Sequence, residues 1–314
     1  MFFYDMKKLL VILMALSGLT LTASAAKKNN VDGRKTAVDY VNPFVGTDGF
    51  GNVYPGAQVP FGGIQISPDT DEHFYDCASG YKWKRNSIQG FSLTHLSGTG
   101  IPDLGDFLFM PGVGEIKLQP GTDDAPDTGY RSRFSHNAEV ATPGYYSVML
   151  SDYGVKAEMT SAVRSGMLRF TYPKSSDAFV LVDMNHTLWQ KCVWSNIRVE
   201  NDSTIVGYKL VKGWGPERHI YFRAVFSKPF RQFTIYQDKK PVIYNTSRFR
   251  SNREAWGPNL LFTARFNTSE GEQITVRTAI SATSTNGCIV NMRELNNRSF
   301  EDVHRDAVQR WNDE

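Results

Sequence analysis

Apolar and polar residues alternate with a period of two over most of the chain after Pro143. Tyr145–Leu150 and Val155–Thr160 flank the short connection Ser151-Asp152-Tyr153-Gly154. Gly166–Tyr172 and Ala178–Asp183 flank Pro173–Asp177 in the same way, and Leu260–Phe266 precedes Gln273–Ser281 at hairpin distance. Ile220–Phe226 alternates too, and in Gln273–Ser281 the residues Ile274, Val276, Thr278 and Ile280 share one face. Successive side chains of a strand point to opposite faces, so this period predicts half-buried strands joined by tight turns. Many such strands with no helical pattern between them predict an all-β fold, a large antiparallel β-sandwich over residues 39–290. Upstream, Gly63–Ser67 reads as a strand with Ile64 and Ile66 on one face, and Phe107–Met110 as a short strand ended by Pro111-Gly112. Residues 39–70 carry Gly or Pro at almost every third position, which forbids helix and favours turns between short strands.

The last stretch changes period. Ser299 is placed to cap a helix, with Asp302 three residues on as a variant capping box, and Phe300, Val303, Ala307 and Trp311 fall near one face. Residues 296–314 are therefore expected to begin a linker helix. An apolar stripe with no partner visible in the sequence predicts more chain to follow, and a helix docked back on the sandwich is the alternative.

The N-terminus reads as a signal peptide over residues 1–25. Lys7-Lys8 precede an apolar run, Leu9 to Leu21, and then Thr22-Ala23-Ser24-Ala25. That run is shorter than the roughly 20 residues needed to span a bilayer, and no other segment is apolar enough, so an exported protein without a membrane span is expected. Residues 26–38 read as a flexible polar leading segment. With 314 residues, 41% hydrophobic and 13% aromatic, the chain can bury a large core. A net charge of +3 with scattered basic residues argues against a nucleic-acid partner. Cys77, Cys192 and Cys288 cannot all pair, and at most one disulfide is expected.

The candidate chemistry concentrates in Ser79–Asp106, which holds five glycines, one histidine and two close aspartates. Gly98, Gly100 and Gly105 suit backbone at positive φ or close approach of a ligand. A strand interior is not expected to tolerate such composition, so the stretch reads as a cleft-lining loop. Trp83 could stack on an apolar ligand face, with core packing as the alternative. His95, Ser97, Gly98, Thr99 and Asp103 are the other candidate substrate contacts. Asp103 and Asp106 sit in one turn, which favours bonds to backbone amides or ligand hydroxyls over catalysis. Asp48, Asp69 and Asp71 read as turn makers, and Trp189, Trp194 and Trp214 as core or domain-contact residues.

Several segments, in this order and spacing, resemble the N-terminal domain of glycoside hydrolase family 92, the exo-acting α-mannosidases. They are N-P-F-V-G-T (42–47), Y-P-G-A-Q-V-P-F-G (54–62), Q-I-S-P-D-T (65–70), S-G-Y (79–81), G-F-S-L-T-H-L-S-G-T-G (90–100) and D-L-G-D (103–106). P-G-Y-Y-S-V (143–148) and A-V-Q-R-W (307–311) are also similar to that family. The resemblance implies a supersandwich of the galactose-mutarotase type, followed by a linker helix and a catalytic (α/α)6 barrel. It also implies removal of terminal mannose from α-linked glycans with inversion, and dependence on Ca2+. Metal ligands and the acid and base would lie in the barrel, so no catalytic or metal residue is expected in this chain. The chain departs from the family pattern at Leu93, where a histidine is common, at Ile101, where a small residue is usual, and at Trp83. These changes touch the implied cleft wall and bear on linkage specificity.

The leading expectation is the N-terminal domain of an exported, periplasmic or secreted α-mannosidase, acting on mannose-containing glycans and inactive alone. The rivals are a free-standing carbohydrate-binding module and a mutarotase-like isomerase using His95 with an aspartate as its acid/base pair. Downstream coding sequence separates the first two readings, and anomer interconversion by His95 and Asp103 variants tests the third.

Overall fold

The computed structural model describes residues 35–70, 78–243 and 252–314. The signal peptide, most of the leading segment, Asp71 and Cys77 lie outside the described residues. All elements below belong to the unit Ala37–Glu314.

Among the described residues, two large antiparallel sheets form a sandwich. The first runs Ser67–Asp69, Gly90–Ser92, Leu108–Val113, Ser175–Asp183, Leu260–Thr268, Gln232–Gln237 and Lys240–Pro241. The second runs Glu254–Gly257, Lys191–Asn201, Thr204–Lys212, Arg218–Phe226, Glu272–Ser281, Ser165–Tyr172, Val155–Ser161, Tyr145–Leu150 and Glu139–Thr142. The expected all-β sandwich is observed. Its core lies between the sheets, where Phe222 of the second meets Phe107 at 4.4 Å and Phe109 of the first at 6.2 Å between ring centres. Each fully buried side chain of this size contributes about 1.5–3 kcal/mol through removal from water.

Two expected hairpins are crossings between sheets. Ser165–Tyr172 and Ser175–Asp183 lie in opposite sheets, as do Leu260–Thr268 and Glu272–Ser281. Both connections are short enough for a hairpin, but both flanking strands bury their apolar residues in the shared core. Facing sheets satisfy that burial better than adjacent positions in one sheet. The Tyr172 hydroxyl donates to the Phe179 carbonyl across one crossing (2.8 Å).

Other boundaries also moved. The strand Leu108–Val113 continues through Pro111 and Gly112 and pairs with Ala178–Asp183, rather than ending there. Ile66 makes an isolated bridge to Ala57, and the regular strand begins at Ser67. Ser87–Ile88 and Gly90–Ser92 are strands despite their composition, because small residues let the backbone approach its neighbours.

Helix α1 (Thr285–Met292), not anticipated from the periodicity, is capped by Ser284, whose hydroxyl accepts from the Gly287 amide. Helix α2 (Phe300–Asp313) starts at the expected Ser299/Asp302 capping box. It docks on the sandwich. Phe300, Val303 and Ala307 are buried, the Arg169 guanidinium lies 4.0 Å above the Phe300 ring, and Trp311 Nε1 donates to Gln58 O at 2.7 Å. The apolar stripe thus has its partner within the described residues. Cys192 and Cys288 are free and buried, and burial pushes the Cys288 thiol up to about 12.

Candidate functional site

Ser79–Asp106 divides into a buried base and an exposed rim. Two short strands, Ser87–Ile88 and Gly90–Ser92, lie within it, and its last residues, Pro102–Leu104, meet the turns that precede Lys191–Asn201 and follow Thr204–Lys212.

The base is built on two fully buried aspartates. Asp69, in the strand Ser67–Asp69, meets His95 Nε2 through Oδ1 (2.8 Å) and His186 Nε2 through Oδ2 (2.9 Å). Burial alone would raise its pKa, but His95 and His186 together outweigh that and hold it well below the usual carboxylate range. Asp69 is therefore an ion-pair centre, not a turn maker. Gly80, at φ 84°, closes over it, and a Cβ there would fall 2.0 Å from Asp69 Oδ1. His95 is buried, and its Nδ1 lies 2.8 Å from the Gln65 carbonyl. Both ring nitrogens face oxygen acceptors, so neither is available as a base.

Asp106 is the second centre. It accepts from Thr94 Oγ1 (2.7 Å), from Arg218 Nη1 (2.6 Å) and Nη2 (3.1 Å), and lies 3.4 Å from the fully buried Lys209 ammonium. Burial opposes ionisation here too, and Lys209 and Arg218 overcome it, so its pKa is lowered. Lys209 also donates to the His186 carbonyl, which joins the two centres. Removing one partner of such a pair strands a buried charge, at a cost of roughly 3–5 kcal/mol.

The rim lies above. Ser97 and Gly98 are exposed, with Gly98 at φ 72° and its amide donating to Asn52 O (2.7 Å). Gly105 also takes positive φ, whereas Gly100 does not. Thr99 is half-buried and donates to Ile101 O. Asp103 is buried at the edge, its Oδ1 accepting from the Leu104 amide (2.6 Å) and Oδ2 from the Trp214 amide (3.2 Å). Trp83 is 37% exposed and stacks on His136 at 3.8 Å with planes 16° apart. His136 is held by the buried Glu139 (2.5 Å), which also accepts from Tyr81 (2.8 Å) and Tyr146 (2.6 Å). Burial first, and Glu139 second, raise the pKa of both tyrosines, so they stay protonated donors.

The structure thus leaves Ser97 and Gly98 exposed and Trp83 and Thr99 partly so, buries Asp103 beside the Trp214 turn, and buries His95. A buried, doubly engaged His95 cannot serve as the acid/base group of the isomerase reading. Neither Asp103 nor Asp106 is an exposed acid. Trp189, Trp194 and Trp214 are exposed, so the core alternative does not hold for them. Asp69, His186, Lys209 and Arg218 were missed because they come from four distant segments. The only sequence signal was a Lys, Lys209, at an inward position of an alternating strand.

Among the described residues no group of three His, Cys, Asp or Glu side chains is arranged to hold a metal ion, so these residues do not fit a calcium site. No described helix is long and apolar enough to cross a membrane. A separate cavity of about 450 Å³ lies between α2 and the second sheet, lined by Arg169, Phe300 and Glu301 among others. Of its two arginines, Arg169 is engaged by Glu158 and Glu301, and Arg277 donates to Arg298 O.

A family model described as the glycosyl hydrolase family 92 N-terminal domain matches residues 40–281. A family GH92 alpha-mannosidase from Bacteroides thetaiotaomicron, solved with mannoimidazole, is 66% identical over 89% of this chain, with a TM-score of 0.87. A GH92 inverting mannosidase from Bacteroides thetaiotaomicron VPI-5482 is 27% identical over 89% of the chain, with a TM-score of 0.73. An uncharacterized secreted glycosidase from Arthroderma benhamiae is 30% identical over 143 residues, 44% of this chain. The chain spans 37% and 36% of those two solved chains and 17% of the fungal protein.

Proposed function

The chain belongs to glycosyl hydrolase family 92 through its N-terminal domain, and from that membership we propose that it forms one wall of an α-mannoside cleft. On this reading the rest of the site belongs to a catalytic domain of the kind its longer relatives have room for. The enzyme it serves is an exported, inverting, calcium-dependent α-mannosidase. The N-terminal charge and apolar pattern and the secreted relative support export. The solved inverting relative supports the stereochemistry. Calcium dependence rests on the family resemblance, with ligands outside the residues described.

One observation carries the reading: Ser97, Gly98 and the Trp83 ring reach the surface, while the Asp69 and Asp106 carboxylates are fully buried and held ionised. An inverting glycosidase needs one carboxylic acid to protonate the leaving oxygen and a second carboxylate to activate water, ~6.5–9.5 Å away. Buried, ion-paired Asp69 and Asp106 can do neither. They pin the loop that presents Ser97, Gly98, Thr99 and Asp103, and Trp83 stacks on the mannose ring.

The test is hydrolysis of an α-mannobioside by this chain, with and without calcium, beside saturation-transfer NMR of mannobiose binding. Binding that weakens in Trp83→Ala, without turnover, is the expected result. Turnover by this chain alone would overturn it.

A further inference from the structure

We infer that His136 is a positioning residue for Trp83: its imidazole backs the indole and fixes the direction in which that ring meets a sugar. The inference rests on the mannoside-wall reading above. The two rings come from separate segments of the chain, yet their centres lie 3.8 Å apart with planes 16° from parallel. Phe44 packs against the same indole at 5.1 Å with planes 65° apart, and the Trp83 amide donates to Thr47 O (3.0 Å). Backbone and ring are thus both held. The residue nevertheless stays 37% exposed.

His136 is itself fixed. It opens the short turn His136–Ala138, which Ser135 caps by accepting from the Asn137 amide. The buried Phe134 ring meets the imidazole at 5.1 Å with planes 85° apart. Nδ1 lies 2.5 Å from Oε1 of the buried Glu139, which sets the plane of the imidazole, and the Tyr81 and Tyr146 hydroxyls hold that carboxyl group in place. Ser87 and Ile88 pair with Arg133 and Ser132, and the Phe134 amide donates to Asn86 O (3.0 Å). The segment carrying His136 is therefore tied to the one carrying Trp83. A stack formed for stability would bury both rings. Here the His136 side chain keeps 25% of its exposure and Trp83 more, while Glu139, Tyr81, Tyr146 and Phe134 beneath them are buried. Rigid support under an accessible aromatic suits stacking on a ligand, because a ring oriented beforehand loses little freedom on binding.

The experiment measures α-mannobiose affinity by NMR titration of the full chain and of Trp83→Ala, His136→Ala, His136→Leu and His136→Phe. The Ala and Leu variants of His136 should weaken binding about 3- to 10-fold, the scale of one aromatic pair, and His136→Phe, which keeps a ring against the indole, less than about 2-fold. In the free protein the Trp83 indole N–H signal should broaden in the Ala and Leu variants and stay sharp in His136→Phe. If His136→Ala does not fold, His136→Leu carries the comparison, since it fills the space without a ring. Unchanged binding in the Ala and Leu variants, whatever their Tm, with loss in Trp83→Ala, marks His136 as structural and overturns the inference alone. Equal weakening in all three His136 variants also overturns it, because a stacked ring would then not be the cause. No binding by the parent chain, or parent-like binding by Trp83→Ala, overturns the mannoside wall and this inference with it.

Discussion

The base and the rim of Ser79–Asp106 are neighbours in sequence and opposites in physics. Thr94, His95 and Asp106 are buried and bonded to groups brought from strands far away in the chain. Ser97 and Gly98, only a few residues on from His95, are exposed and Thr99 is half-buried, with Thr99 bonded to Ile101 O and the Gly98 amide to Asn52 O. The difference separates two kinds of importance. A change in the base should act on folding, and one in the rim should act on binding with little effect on folding.

The largest expected effect lies in the base. Asp106→Ala leaves the fully buried Lys209 ammonium without its carboxylate and should cost roughly 3–5 kcal/mol, read from the urea midpoint. A cost below about 1 kcal/mol would mean that Arg218 and Lys209 are not held by this pair. Acid should reveal the same dependence. The folded Asp106 carboxyl sits below its unfolded value near 4, so it stabilises the protein above that pH. That contribution is lost as pH falls through the folded value. Asp106→Asn should flatten the acid limb of stability against pH, and an unchanged limb would place the acid sensitivity elsewhere.

Smaller effects belong to the rim. Gly98→Ala meets no atom within 4 Å but forces a side chain to φ 72°, so a cost of about 1 kcal/mol is expected in thermal unfolding. Ser97→Ala should change stability by no more than about 0.5 kcal/mol while weakening mannobiose binding several-fold. A Ser97 variant that unfolds the protein would erase the distinction between rim and base. Smallest of all, Cys192 and Cys288 should resist thiol reagents in the native chain, because both are buried with raised pKa values.

The same division explains what could be read in advance. Strand period, the sandwich class and the Ser299/Asp302 cap depend on local pattern, and they are where the alternation and the capping residues place them. The sheet crossings at Pro173 and after Thr268 were misread as hairpins, because loop length is alike for both and only the shared core separates them. Ser87–Ile88 and Gly90–Ser92 were read as loop because their packing is supplied by distant strands. Asp69 looked like a turn residue between Pro68 and Thr70, since nothing local announces two histidines arriving from positions 95 and 186.

The six tryptophan indole N–H signals test the central claim most directly. In an NMR titration with α-mannobiose, Trp83 should shift. Trp256, bonded to Glu254, and Trp311, bonded to Gln58 beneath α2, should not. A response confined to Trp311, or to amides around the cavity at Arg169 and Phe300, would place the sugar on the other side of the molecule and contradict the account.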